Sequence, residues 1–167
     1  MKRYRANATS REAADPAPCR ARLAAHNIPP MKTTFSLAEA NRTLPLISRI
    51  VSDLVARYPA WRELVEEYEL LSASQRADSP DPRLEPLERR VTVLAREIDG
   101  YIHEVTELGA EVKDPLDSGL VDFPGRHEGR PIFFCWKLGE EVIDHWHERD
   151  GGFAGRQSID ALEFADR

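Results

Sequence analysis

Long apolar runs and cysteine are both scarce in this chain of 167 residues. No stretch approaches the roughly 20 apolar residues that a membrane-spanning helix needs, and the first residues lack the apolar core of a signal peptide. Two cysteines, Cys19 and Cys135, are too few to hold a disulfide scaffold together. The sequence therefore argues against a membrane partner and against a secreted disulfide-rich domain, and we expect a cytoplasmic protein.

Positive charge is also scarce, except at the N-terminus. The net charge is −6, with 29 acidic residues against 23 basic ones. Residues 1–30 carry six basic and two acidic side chains, which leaves the rest of the chain with a net charge of −10. Because phosphate backbones are bound by clusters of Lys and Arg, an acidic body argues against nucleic acid as a partner. Residues 1–32 are rich in Ala, Pro and Arg, and we expect them to be a disordered basic tail or an over-extended start.

What the sequence does contain is a pair of apolar stripes at helical spacing. Apolar residues recur every three or four positions from Leu37 to Tyr68 and again from Leu84 to Leu108. This spacing predicts two amphipathic helices with matching apolar faces. Because only a short polar link joins them, residues 33–109 are predicted to form a long antiparallel helical hairpin.

Local signals mark the start of the first helix and its weak points. Ser36 and Glu39 match the S-x-x-E capping box of a helix N-terminus. Pro45 and Pro59 lie inside the helix, where each removes one backbone hydrogen bond. Since the stripe keeps its phase across both prolines, we expect kinks rather than breaks.

The apolar stripes are too long for two helices to cover alone. A two-helix hairpin leaves the flanks of its stripes half exposed, so the C-terminal part of the chain, a second copy of the chain, or both must cover them. The hairpin therefore predicts a homodimer or a helical partner protein.

After residue 109 the pattern changes from helical to alternating, which is typical of strands. The candidate strands are residues 110–114, 120–123 and 131–138, separated by turn signals and by a loop over residues 124–129. Residues 140–148 are predicted to form a short helix. Residues 110–159 thus form a small module packed on the hairpin, and residues 160–167 form a tail. The predicted fold class is α+β, a long helical hairpin followed by a small antiparallel β-sheet module with a short helix.

Residues that can bind metal ions or exchange protons gather in this module. On the predicted helix, Glu140 and His147 are seven positions apart and so share one flank. Carboxylates and imidazoles are ligands of divalent metal ions and partners in acid–base catalysis. A third ligand would come from the sheet, either Asp122 or the thiolate of Cys135. The sequence therefore predicts a divalent-metal or acid–base site at Asp122, Glu140 and His147, with Cys135 as a further ligand.

Each of these residues also has a purely structural interpretation. A cysteine such as Cys135 in an apolar strand is typical of a small core residue. Asp122 is compatible with hydrogen bonds to the backbone at a strand end, and His147 with a helix C-terminus. A third interpretation is an anion site, formed by the guanidinium groups of Arg126, Arg130 and Arg156, which requires those groups to converge.

Several blocks of the sequence resemble one family of uncharacterised prokaryotic proteins, domain of unknown function 2203. The similar blocks are Phe35–Asn41 with Leu44-Pro45, Gly119–Pro124, Cys135–Glu140, Trp146-His147 and Gly152–Arg156. The resemblance covers about residues 33–159 and implies a small cytoplasmic protein with a charged, helical first half and a compact second half. It implies no activity. The block residues at which we expect any site are Asp122, Cys135, Trp136, Glu140, Trp146, His147 and Arg156.

Two functions therefore remain open, and the residues do not decide whether the chain is an enzyme. The first is a helical-hairpin binding or assembly module that forms homo-oligomers, which the unbroken stripes favour. The second is a metal-binding or acid–base hydrolase-like protein, which the chemistry of the C-terminal module favours. Neither a substrate nor a named partner follows from the sequence.

Overall fold

Two helices precede a five-stranded antiparallel sheet in the computed structural model. The structure describes residues 34–74 and 81–162, so the predicted tail over residues 1–32 and the last five residues of the chain lie outside the described residues. Helix α1 spans Leu37–Ser74 and helix α2 spans Leu84–Glu107. The predicted α+β class is confirmed.

Helix α1 begins at the predicted capping box. The Ser36 backbone N–H and hydroxyl donate to Glu39 Oε2 at 2.8 and 2.7 Å, and the Glu39 N–H donates to Ser36 Oγ at 3.3 Å. The helix then continues without a break through Pro45 and Pro59. Every residue of the two predicted stripes is buried or half-buried, because α1 and α2 pack against each other as the predicted hairpin and the first half of α1 also packs on the sheet.

The hairpin contributes to two separate apolar cores. The first half of α1 packs against the sheet, with Ala40, Ile47 and Val51 among the buried residues. The outer half of the hairpin, residues 61–74 and 84–96, which we call the arm, encloses a core made mainly by the two helices themselves. The sheet therefore covers only one half of the α1 stripe.

The sheet is a simple meander in which each strand pairs with the next one along the chain. Its β2–β3 hairpin turns at Glu128 and Gly129, both with positive φ, as a two-residue turn between strands requires. The strands are β1 (Glu111–Val112), β2 (Leu120–His127), β3 (Arg130–Lys137), β4 (His145–Glu148) and β5 (Gln157–Ser158).

The short helix predicted for residues 140–148 is wrong, because residues 145–148 form strand β4 and pair with β3. The residues before β4 are held by hydrogen bonds to side chains of β3 and α1. The Glu140 carbonyl accepts the Trp136 indole N–H at 2.9 Å, and the Ile143 N–H donates to Asn41 Oδ1 at 2.9 Å. The short helical turns that the module does contain are 3-10 turns at residues 116–118, 153–155 and 159–161.

The loop predicted over residues 124–129 is also shorter than expected, because β2 continues to His127. Gly125, which suggests a turn in the sequence, lies in the strand opposite the Phe134 ring. A Cβ atom at Gly125 would lie 2.6 Å from that ring, so the glycine provides space for a core aromatic side chain. From the sequence alone, a glycine with this packing role cannot be distinguished from a glycine in a turn.

Candidate metal site

The two faces of the sheet carry different side chains. Residues of β2, β3 and β4 that face α1 are apolar and belong to the main core, for example Phe123, Phe134 and Trp146. The strand register places Asp122 opposite Cys135 and Phe133 opposite His147, all on the other face. Because side chains alternate along a strand, the apolar core and a polar group of residues are built from the same three strands.

Three side chains on this second face form a compact set of ligating atoms. A carboxylate oxygen of Asp122, the Cys135 sulfur and a ring nitrogen of His147 all lie within 4.8 Å of one another. Each residue is at most 2% exposed. Asp122 and His147 are the polar residues among the fully buried ones in the part of the chain that the structure describes.

His147 is oriented by a hydrogen bond on each side of its ring. Its Nδ1 lies 2.7 Å from the Glu148 carbonyl oxygen, which only accepts, so Nδ1 carries a proton. Its Nε2 lies 3.1 Å from Asp122 Oδ2, and the Phe133 ring packs beside the imidazole at 5.6 Å between centroids. A backbone carbonyl bound to one ring nitrogen is the arrangement that commonly directs the other nitrogen of a histidine toward a metal ion.

Asp122 is only half satisfied. Its Oδ2 atom contacts His147 and lies 3.4 Å from the Lys113 ammonium. Its Oδ1 atom is buried and has no hydrogen-bond partner within residues 34–74 and 81–162. A buried carboxylate oxygen without a partner is costly, and Asp99 Oδ1 on α2 is another among the described residues. Asp122 differs from Asp99 in that its oxygen lies beside a thiol and an imidazole.

The surroundings of Cys135 favour its neutral thiol form. Burial, and then the negative charge of Asp122, raise the pKa of Cys135 to about 12. A bound divalent cation would reverse this effect, since metal coordination deprotonates a thiol. The site therefore favours a thiol in the metal-free protein and can supply a thiolate to a metal ion.

Lys113 forms the exposed side of the site. Partial burial disfavours its charge, but the carboxylates of Asp122 and Glu111 outweigh burial and raise the pKa of Lys113. Its ammonium lies 3.2 Å from Glu111 Oε2 and 5.4 Å from the centre of the Phe133 ring. Sequence reasoning missed this residue, because a lysine next to a strand end looks like an ordinary surface charge.

One family model, described as an uncharacterised conserved protein (DUF2203), matches residues 33–159. The match includes both helices, the whole sheet and the three clustered side chains. The chain belongs to this family. The resemblance noted in the sequence is thereby confirmed, whereas no curated protein and no solved structure matches the chain.

Glu140 takes no part in the three-residue cluster of this DUF2203 protein. The predicted flank shared by Glu140 and His147 is wrong, because the helix that would create it does not exist. Both carboxylate oxygens of Glu140 instead accept from the Arg156 guanidinium, at 2.8 and 2.9 Å. Arg156 also donates to the Cys135 carbonyl at 3.2 Å. Glu140 and Arg156 thus connect the segment after β4 to the strand that carries Cys135.

A second group of possible ligands lies nearer the surface of the DUF2203 protein. Ligating atoms of Glu140, Asp144 and His145 also lie within 4.8 Å of one another. Each already has a partner, since Arg156 binds Glu140 and His145 Nδ1 contacts Asp144 Oδ1. Unlike Asp122, this group leaves no buried carboxylate oxygen unpaired among the described residues.

The arginines predicted as an anion site contact different groups. Arg126 donates to the Gly129 carbonyl at 3.0 Å and Arg130 to Glu128 at 3.3 Å, both at the β2–β3 turn. Arg156 binds Glu140 and the Cys135 carbonyl, which is five residues along β3 from Arg130. The structure of the DUF2203 protein does not bring the three guanidinium groups together.

In the part of this DUF2203 protein that the structure describes, neither helix is long and apolar enough to cross a lipid bilayer.

Proposed function

We propose that this DUF2203 protein binds a divalent transition-metal ion, of the zinc class, through Asp122, Cys135 and His147. The observation that carries the proposal is the unpaired Asp122 Oδ1 atom, buried within 4.8 Å of a thiol and an imidazole. Zinc accepts oxygen, sulfur and nitrogen ligands together, whereas magnesium and calcium prefer oxygen alone. The mixed ligand set therefore favours zinc or a similar ion.

The charges of the site suit a divalent ion. An aspartate, a thiolate and a neutral imidazole carry two negative charges, which balance one divalent cation. In the metal-free protein the Cys135 thiol keeps its proton, because burial raises its pKa to about 12. Coordination of a metal ion by the thiolate must displace that proton, so we expect metal binding to release a proton from Cys135.

Three protein ligands leave one position of a tetrahedral ion for water or another group. This ligand count is typical of catalytic zinc sites, whereas structural sites have four protein ligands. The Lys113 ammonium, 3.4 Å from Asp122 Oδ2, lies beside the site on its exposed side. This ligand set is compatible with the hydrolase-like alternative, but it does not indicate a substrate.

Cobalt substitution tests the proposal directly. We expect the purified chain to bind one Co²⁺ ion with the charge-transfer band of a cobalt–thiolate bond and the intense visible bands of tetrahedral coordination. Cys135→Ser should remove the charge-transfer band, and His147→Gln should weaken Zn²⁺ binding by more than about 100-fold, because changing even a residue that only supports a ligand costs about 10–100-fold. Cys19→Ala and His145→Gln are the matched controls, and both should behave as the unaltered chain does.

Two results would contradict this metal function. One is a folded chain that takes up no stoichiometric Zn²⁺ or Co²⁺. The other is a Cys135→Ser variant with an unchanged cobalt spectrum. Circular dichroism of each variant separates loss of a ligand from loss of the fold.

A second candidate function concerns the arm, and here we propose assembly with another chain. The supporting observation is a groove with apolar residues along each flank of the arm, one of them lined by Val93, which is 53% exposed. Leu70, elsewhere on the arm, is 75% exposed. Sedimentation equilibrium of the purified chain tests self-assembly. A mass that rises with concentration supports it, and a monomeric mass at every concentration contradicts it.

A further inference from the structure

On one flank of the arm the basic side chains come from α2 and the acidic side chains from α1. The groove on this flank, which we call the arginine groove, is lined by Leu64, Pro86, Arg89, Arg90, Val93 and Leu94. All its basic residues come from α2. Glu67 follows Leu64 by three positions on α1, and Glu63 lies one turn before Glu67, so both carboxylates lie along the α1 side of the groove.

Some of these charges have partners within one copy of the chain. Arg89 pairs with Glu85, one turn before it on the same surface, and Glu67 interacts electrostatically with Arg83, just before α2. Glu63 and Arg90 are exposed and make no ion pair with any residue of the described ranges. The outer flank of the arm therefore presents an unpaired carboxylate on α1 and an unpaired guanidinium on α2.

The two sides lie at the same level along the hairpin. The ion pair between Arg57 and Glu97 sets the register of the antiparallel helices. Counting along both helices from that pair brings Glu63 and Glu67 level with residues 87–91, next to Arg89 and Arg90. A copy turned by 180° about an axis parallel to the helices would place its α1 over α2 of the first copy, with acid over base at one level.

We propose that a second copy of this chain docks on the arginine groove, related by a two-fold axis parallel to the helices. The inference rests on the assembly function proposed for the arm and names its partner. In the dimer, Glu63 and Glu67 of each copy face Arg89 and Arg90 of the other. A two-fold axis makes every such contact twice, which is how one surface can be complementary to itself.

The charges also select the orientation of the two copies. A two-fold axis that lies in the interface but runs perpendicular to the helices would place α1 of one copy over α1 of the other. Glu63 and Glu67 of both copies would then face one another. The parallel axis avoids this repulsion, and it leaves both sheet modules at the same end of a four-helix bundle. Four helices packed in this way are a common stable arrangement.

The opposite flank of the arm does not have this complementarity. Its groove is lined by Val65, Tyr68, Val91 and Ala95, and its α2 side carries both signs of charge, Glu88 and Asp99 together with Arg96. On α1, the exposed Glu66 already pairs with Arg62. The acidic and basic residues of this flank are therefore not divided between the two helices, so the arginine groove is the better surface.

The size of the arm predicts a weak dimer. Fourteen residues of α1 give a face about 20 Å long, and two helices side by side are about 20 Å wide. The face is about 400 Å² per copy, or about 800 Å² in total, which is below the roughly 1,000 Å² of stable specific interfaces, so we expect a weak dimer that forms only at high protein concentration. Leu64, Val93 and Leu94 of the groove supply the apolar part of the interface.

Charge reversal on either side of the arginine groove tests the proposed interface. We expect sedimentation equilibrium to show a dimer for the unaltered chain. The double variants Glu63→Arg with Glu67→Arg, and Arg89→Glu with Arg90→Glu, should each be monomeric, because each opposes like charges. A mixture of the two variants should restore dimers with a dissociation constant within about threefold of the original, since all facing charges are then opposite. Glu66→Arg with Glu69→Arg changes the same charges on the other flank and should leave the dimer unchanged.

The possible results separate this inference from the function on which it rests. A monomeric unaltered chain would overturn both the homodimer and this interface. A dimer that survives in each double variant alone would overturn this interface but leave self-assembly standing. Monomeric variants that fail to associate when mixed, with circular dichroism showing intact helices, would overturn the pairing of acidic and basic sides.

Discussion

Both faces of the sheet hold fully buried residues, but the faces differ in what burial requires of those residues. Toward α1, Phe123, Phe134 and Trp136 are removed from water by apolar neighbours, and the hydrophobic effect accounts for their position. On the other face, Asp122, Cys135 and His147 are just as inaccessible. Polar groups at such positions need partners, because water no longer supplies hydrogen bonds to them.

The difference shows which face offers groups that could bind an ion. The apolar face leaves one buried donor unpaired, the Trp146 indole N–H, but its described residues bring no carboxylate, thiol or imidazole together. On the polar face, His147 has a partner for each ring nitrogen, but one oxygen of Asp122 has none in the part of the chain described. The polar face is therefore the one that we expect to bind an ion, and the apolar face is the one that we expect to stabilise the fold.

The largest expected effect comes from opening the apolar face. Phe134→Ala should lower the free energy of unfolding by about 3–5 kcal/mol, because it removes a fully buried ring and leaves a cavity. Urea denaturation of the metal-free chain measures this change. Phe153→Ala, which truncates an exposed ring on the other side of the sheet, is the control and should cost less than about 1 kcal/mol. Equal losses in the two variants would mean that α1 does not close over this face.

The next effect is stabilisation by metal on the polar face. Zn²⁺ at about 100 times its dissociation constant should raise the free energy of unfolding by about 2.7 kcal/mol, because only the folded chain holds the complete site. Cys135→Ala should abolish that increment, whereas Cys19→Ala should retain it. Denaturation with and without Zn²⁺ measures the increment for each variant. An increment that persists in Cys135→Ala would place the bound metal elsewhere.

The helical half of the fold was predictable from sequence because its signals are long and redundant. Apolar spacing repeats over more than 30 residues from Leu37, and a capping box at Ser36 marks the start. Strand β4 has only four residues, and Ile143 and Trp146 are three positions apart, which imitates a helical face. A strand as short as β4 forms because it pairs with β3, and the sequence around residues 145–148 does not reveal that pairing.

The candidate site was only partly predictable from the sequence, again because strand pairing is not visible in a local pattern. The chemistry of Asp122, Cys135 and His147 indicated them, but their proximity depends on the register of three strands. Glu140 was grouped with His147 through a helix that does not form, and its carboxylate binds Arg156 instead. The sequence shows which side chains could bind an ion, whereas the distances between those side chains depend on how the strands pair.

A smaller effect concerns the charge at the exposed side of the polar face. Lys113→Met should strengthen Zn²⁺ binding by about tenfold, or 1.4 kcal/mol, because it removes an ammonium that competes with the ion for Asp122. Competition with a chelator measures the affinity. Lys137→Met removes an exposed charge near Phe153 and should leave the affinity unchanged. Weaker binding in Lys113→Met would show that the ammonium supports the site rather than opposes the metal.

The smallest expected effect is a pH dependence that belongs to the polar face alone. Burial first, and then the Asp122 charge, raise the pKa of Cys135 from 9.0 to about 12, so above pH 9 the folded chain keeps a proton that the unfolded chain loses. Because the folded state then binds more protons, its stability must fall as pH rises. We expect the unaltered, metal-free chain to lose up to about 1 kcal/mol between pH 9 and 10 relative to Cys135→Ala, and nothing below pH 8. Urea denaturation across this range measures the difference, and parallel curves for the two proteins would mean that the thiol ionises as freely in the folded chain as in the unfolded one. In that case the two faces would differ less in their access to water than their geometry implies.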